Sequence, residues 1–231
     1  MTAKSFRHLL SPGRIGRMEL RNRIAVTAMG VSLGEDDGQC GERLIAYHAE
    51  QAKGGAGLII TGVAGVAWPI GASEEAQIAI SDDRFIPGLK ALADAAHAHG
   101  AKIVPQLHHG GLAAMGDMIA GRPRLCPSPP EAPTGDFTAT FLIEELKAAP
   151  FGRIKSVELK VMTLEDIRLV VSQFAAAADR AKRAGFDGVE IRAGHGYLLS
   201  SFISPKSNKR ADEHGGPLEN RARFLLEGIR A

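Results

Sequence analysis

Apolar residues recur along this chain in two alternating forms, short continuous runs and stripes at helical spacing. Ile24–Met29 is an apolar run and reads as a first strand. Across residues 42–53, Leu44, Ile45, His48, Ala49 and Ala52 share one helical face, and Gly54-Gly55 stops that helix. Residues 57–66 form a continuous apolar run, the pattern of a strand buried on both sides. Pro87 suits a helix's first turn. Leu89, Leu92, Ala93 and Ala96 give that helix its apolar face, and Gly100 ends it. Lys102–Leu107 is the third strand.

Residues 108–162 are rich in Pro and Gly and show no clear period before Val157. Connections this long are usually functional or mobile. Thr163-Leu-Glu-Asp166 then resembles a capping box. Leu164, Ile167, Val170, Val171, Phe174, Ala178 and Ala181 make the best amphipathic stripe in the chain, which Gly185 closes. Phe186–Ile191 is the fourth strand. Pro217 opens a fourth helix, with Leu218, Ala222, Leu225, Leu226 and Ile229 on one face.

Four strand–helix units predict an α/β fold with parallel strands. An open doubly wound sheet and a (βα)₈ barrel compete. Met29-Gly-Val-Ser-Leu-Gly34 lacks the glycine spacing of a dinucleotide-binding turn, which disfavours the open sheet. Leu9–Ile24 alternates apolar and basic residues around Pro12-Gly13 and reads as a hairpin able to plug the bottom of a barrel. Four units are half of such a barrel. Residues 1–231 are therefore expected to be the N-terminal portion of one barrel domain, which continues past residue 231.

Composition removes other classes. The net charge of +2 and scattered Lys and Arg give no basic face for nucleic acid. No apolar run is long enough to span a bilayer, and the first residues lack a signal peptide's apolar core. Cys40 and Cys126 form no metal or redox motif and read as free thiols of a cytoplasmic protein.

Active groups of barrels cluster at the C-terminal ends of the strands. Those ends here are Thr27-Ala-Met-Gly30, Thr61-Gly62, Gln106-Leu-His-His109 and Arg192-Ala-Gly-His-Gly-Tyr197. Small residues on two of them leave room for a flat ligand. Gln106, Arg192, His195 and Tyr197 supply polar groups. Each has a plainer role open to it: Gln106 can satisfy buried backbone groups, His108 and His109 read as loop residues, and His195 and Tyr197 can be structural.

The run from Gly185 to Phe224, centred on Arg192-Ala-Gly-His-Gly-Tyr197, resembles the signature of the Old Yellow Enzyme family of NADH:flavin oxidoreductases. Arg21-Asn-Arg-Ile24, Gly55-Ala-Gly-Leu-Ile-Ile60 and Gln106-Leu-His-His-Gly-Gly111 match in order. Leu33–Gly62 is most similar to the 2,4-dienoyl-CoA reductase and trimethylamine dehydrogenase branch. The resemblance implies a (βα)₈ barrel that binds FMN and takes electrons from NADH or NADPH. It implies a small-molecule substrate and allows a homo-oligomer. A 4Fe-4S cluster and FAD, which that branch often adds, would lie beyond residue 231, as would the flavin phosphate loops.

The resemblance also assigns roles. Ala28, Met29, Gly30 and Gly62 would pack near the flavin, and Gln106 would bond its pyrimidine edge. Tyr197 would be the proton donor. His195 would hold a substrate oxygen and serve the chemistry. Arg192 stands where relatives carry a neutral histidine. It would bind an acidic substrate or fold into a structural ion pair. Gly30 replaces a cysteine of some relatives, which implies noncovalent FMN. Three functions stay open: reduction of an activated C=C bond, oxidative N-demethylation of a small carboxylate-bearing amine, and an inactive fragment.

Overall fold

The structure, a computed structural model, describes residues 6–130, 144 and 153–231. Its centre is a parallel sheet in the order β3 (Ala25–Val26), β4 (Leu58–Gly65), β6 (Lys102–His108) and β9 (Glu190–Ile191). A short strand, β5 (Ile78–Ala79), pairs with the far end of β4. The helices α1 (Glu42–Lys53), α2 (Ile86–His97) and α4 (Leu164–Arg183) cover one face. A curled parallel sheet backed by helices is half of a (βα)₈ barrel, as the strand–helix alternation predicts.

Alternation within the strands sorts side chains between the two faces. Ile59, Ile103 and Leu107 join Leu89, Leu92 and Phe174 in the core beneath the helices. Leu58, Ile60 and Val104 point the other way, onto Met18 and Leu20 of the antiparallel hairpin β1 (Gly13–Ile15) and β2 (Met18–Leu20). The hairpin thus plugs the N-terminal end of the sheet. Arg21 fastens it there by donating to the carbonyls of Ala52, Ala56 and His99.

The long helix α4 begins as its sequence dictates. The Thr163 hydroxyl accepts from Asp166 N at 3.1 Å, and the Asp166 carboxylate accepts from Thr163 N at 2.9 Å. These two bonds satisfy N–H groups that the helix cannot.

Four expectations need correction. The first strand is two residues, not Ile24–Met29, and the fourth spans Glu190–Ile191 rather than Phe186–Ile191. Ahead of that pairing, Asp187 N still donates to Ile103 O at 3.0 Å, and its carboxylate binds Ile103 N, His97 and Lys102. The helix after Pro217 breaks at Ala222 into α5 (Leu218–Arg221) and α6 (Arg223–Arg230). The aperiodic stretch holds α3 (Met115–Ala120) and a parallel pair, β7 (Arg124–Cys126) and β8 (Leu159–Val161). Residues 131–143 and 145–152 of that stretch lie outside the described residues.

Cys40 and Cys126 are free and buried. Burial, then Glu35, pushes the Cys40 thiol up to about 12. No helix among the described residues is long and apolar enough to cross a membrane.

Candidate active site at the strand ends

The site begins with a defect in β4. Ile60 pairs with Val104 and Val63 with Gln106, so β4 carries one residue more than β6 between those pairs. Such bulges re-aim a strand beside active sites. Here the extra residue falls at Thr61-Gly62, where the Thr61 hydroxyl donates to Gly62 O at 2.8 Å. Gly62 then lies so close to the end of the first strand that a Cβ would meet Met29 O at 2.6 Å. Met29 itself is 60% exposed, beside Gly30 and half-buried Ala28. Ala28, Gly30 and Gly62 together form a wall of small residues.

Next along the sheet, Gln106 is buried within a chain of side-chain bonds. Its amide nitrogen donates to Glu190 Oε1, and its oxygen accepts from Arg192 Nη1 at 3.0 Å. Arg192 continues from there. Its backbone N donates to Leu107 O at 3.0 Å, and its guanidinium carbon lies 4.8 Å from the Tyr197 ring centroid. Arg192 Nε is buried without a partner among the described residues. No described carboxylate pairs directly with Arg192, although Glu74, against Gly30 and Ser32, feels its charge. Burial raises the Glu74 carboxyl, while Ser32 and Arg192 pull it back.

Tyr197 is held between two neighbours. Arg192 covers one side, and the His108 ring meets it edge-on at 4.5 Å. His108 is fully buried, and its Nε2 lies 2.6 Å from Ser73 Oγ. Burial, then the neighbouring charges of His109 and Arg192, lowers it to about 3, so its ring is neutral. The expectation that His108 sits in a loop is therefore corrected, since His108 ends β6; His109 does lie in the loop beyond the strand, and it is buried.

His195 is placed differently. The chain does bend after Arg192: His195 has φ +61° and Gly196 φ +76°. The bend turns His195 to solvent, where it is exposed and has no hydrogen-bond partner among the described residues. Met29, Gly62, Gln106, Arg192 and Tyr197 are thus linked at one end of the sheet, and His195 lies at its rim.

Ser73, Glu74 and Glu190 are parts of this site without a motif in the sequence, and His108 stands in it although its position reads as a loop. Ser73 and Glu74 sit in an aperiodic polar stretch after β4. Glu190 did carry a signal, a carboxylate inside an apolar strand.

Comparison with known proteins agrees with this geometry. Residues 8–231 match the NADH:flavin oxidoreductase / NADH oxidase family, and the chain belongs to it. It is 37% identical over 225 residues to an NADH oxidase of Thermoanaerobacter brockii, covering 97% of this chain and 32% of that protein. It is 36% identical to an N,N-dimethylglycine/sarcosine dehydrogenase of Chromohalobacter salexigens, covering 98% of this chain and 30% of the relative. An Old Yellow Enzyme from a Pichia species superposes with a TM-score of 0.80 at 33% identity, covering 96% of this chain and 55% of that one. The chain thus spans about a third of these curated relatives' length.

FMN is the cofactor this family implies, and the residues fit it. The orphaned Arg192 Nε supplies a donor for a ring or substrate oxygen. Among the described residues, no group of three His, Cys, Asp or Glu is placed to hold a metal.

Proposed function

We propose that residues 1–231 form part of a single FMN-binding barrel domain. On this reading the protein uses NADH or NADPH to reduce an activated C=C bond of enone or enoyl-CoA type. The observation that carries the reading is the arrangement of Tyr197 between Arg192 and His108, on the strand ends that also present the Gly62 bulge. A proton source, a fixed cation and a wall of small residues share one face.

FMN held at these strand ends would supply the hydride-transfer chemistry. The residues of this chain do the rest. Ala28, Met29, Gly30 and Gly62 shape the wall for the ring system, and Gln106 presents its amide at that level. The Tyr197 hydroxyl delivers the proton to the α-carbon. Arg192 offers its charge to the oxygen on which negative charge gathers, already oriented by Gln106 and by the Tyr197 ring. His108 is neutral and tied to Ser73, which keeps Tyr197 from rotating away. His195, at the rim, would meet the substrate from the solvent side.

A second reading is oxidative N-demethylation of a small carboxylate-bearing amine. Arg192 favours it, because a planar fork of donors suits a carboxylate. The likeness to the dimethylglycine dehydrogenase points the same way.

A substrate panel on the FMN-loaded protein separates the readings. Enones and enoyl-CoA esters should oxidise the reduced flavin, and N-methyl amino acids should leave the oxidised flavin yellow. Bleaching by the amines alone would select the second reading. Inertness toward both classes would overturn both.

A further inference from the structure

The connection from Gly65 to Ile78 carries two side chains into the strand-end site. Ser73 Oγ lies 2.6 Å from His108 Nε2, and Glu74 lies against Gly30. Both residues stand outside the sheet ladder, so contacts beyond the sheet must hold them there.

Asp117, on α3, makes the central contact. Its side chain is 1% exposed, and both carboxylate oxygens are used. One accepts from Gly71 N at 2.7 Å, and the other from Arg122 Nε at 2.7 Å. Arg122 also donates to Pro69 O at 2.9 Å. Two backbone bonds lie alongside, from Gly116 N to Ala72 O at 2.9 Å and from Gly110 N to Gly71 O at 2.7 Å. Residues 69–72 are thus fastened to α3 and to the chain just beyond β6. A buried carboxylate is tolerated only when paired and hydrogen-bonded, and here its partners are this segment and Arg122.

The fastening is close-fitting. A Cβ on Gly71, whose φ is +74°, would meet the His109 ring at 2.6 Å. A Cβ on Gly110 would meet Ser73 Oγ at 2.7 Å. Ser73 N donates to Gln77 Oε1 at 2.9 Å, which fixes the residue from its other side.

From Ser73 the contacts continue to the phenol. The Ser73 hydroxyl is the one hydrogen-bond partner of the buried His108 ring among the described residues, since Nδ1 has none. That ring meets Tyr197 edge-on at 4.5 Å. The Tyr197 hydroxyl forms no hydrogen bond among the described residues, so packing against His108 and Arg192 sets its place.

We propose that Asp117 is a positioning residue for Tyr197: it clamps residues 69–72, so that Ser73 holds His108 against the phenol. Its effect on turnover rests on the enone reading, in which Tyr197 is the acid.

A double-variant cycle on the FMN-loaded full chain tests this by stopped flow. Asp117→Ala removes the clamp, and Arg122, one-third exposed, can turn to solvent. Reoxidation of reduced flavin by an enone should slow about tenfold, the scale of one charge-assisted hydrogen bond. Flavin reduction by NADH or NADPH should hold its rate. Asp117→Asn keeps an oxygen for Gly71 N and should stay within about threefold of wild type. Ser73→Ala breaks the next link without stranding a charge, and should also slow reoxidation about tenfold. In a Tyr197→Phe background, either alanine should change reoxidation by less than about twofold, because the acid it positions is gone. Crystals of both FMN-loaded alanine variants should show the Tyr197 ring displaced from His108. Wild-type protein that no enone reoxidises would overturn the enone reading, and the crystals would then decide the clamp by themselves. Unchanged reoxidation in Ser73→Ala, equal slowing with and without the Tyr197 hydroxyl, or a Tyr197 ring unmoved in the crystals would each overturn the proposal.

Discussion

Arg192 lays its guanidinium 4.8 Å from the centroid of the Tyr197 ring while donating to the Gln106 amide at 3.0 Å. The two contacts hold a cation and a phenol side by side without a carboxylate between them. Arg192 is therefore not neutralised by a direct ion pair among the described residues.

Tyr197→Phe keeps the ring that Arg192 and His108 pack against and removes the hydroxyl. Reoxidation of the reduced flavin by an enone should slow about 10²-fold, the scale of a positioned general acid. Flavin reduction by NADH or NADPH should hold its rate. Stopped-flow measurement of both half-reactions checks this, and unchanged rates in both would leave Tyr197 a packing residue.

Arg192→His restores a neutral donor and removes the fixed charge. KM for carboxylate-bearing substrates should rise at least about tenfold, since a charge-assisted bond is lost. Neutral enones should hold their KM. Steady-state kinetics with both classes on one variant settle the point, because equal effects would make Arg192 structural.

At Gly62, an added Cβ would press on Met29 O at 2.6 Å, and a backbone atom cannot swing aside. Gly62→Ala should cost about 1–3 kcal/mol of stability and weaken FMN binding as the two strand ends part. Gly188→Ala is the control. Its nearest atom is Val104 Cγ1 at 3.5 Å, and it should change stability by less than about 0.5 kcal/mol. Urea unfolding and flavin fluorescence report the two effects.

Burial lowers His108 to about 3 and His109 to about 4, against an ordinary value of 6.5. Below pH 6.5 the unfolded chain takes up protons that the folded chain refuses. Stability should therefore be complete above that pH and fall as pH drops toward 4, by roughly 1.4 kcal/mol per pH unit for each histidine. The urea midpoint at pH 5 should lie below that at pH 7, and the gap should narrow in His108→Gln. A gap of the same size in that variant would mean that other groups set the acid sensitivity.

Helices were the most legible part of the fold. The α1 boundaries, Glu42 to Lys53, follow from one apolar stripe and a glycine pair, and Thr163 with Asp166 marks the start of α4. The plugging hairpin was legible from its alternation. Strand ends were not, because there the chain leaves the ladder to serve the site. The bulge at Gly62 has no signature beyond a glycine, and His108 looks like a loop residue until β6 carries it into the interior. Gln106, Arg192 and Tyr197 were legible through motif resemblance. The contact of Arg192 with Tyr197 spans the bend at His195 and Gly196, where two consecutive residues have positive φ. Ser73 and Glu74 reach the site from a stretch without periodicity, so only the folded chain reveals them.

If electrons held at these strand ends pass to an activated C=C bond, anaerobic titration of the FMN-loaded, NADH- or NADPH-reduced protein with an enone should restore the oxidised flavin absorbance. One enone should be consumed per flavin, and the saturated ketone should accumulate. A flavin that stays reduced in excess enone yet reoxidises at once on admission of oxygen would contradict it.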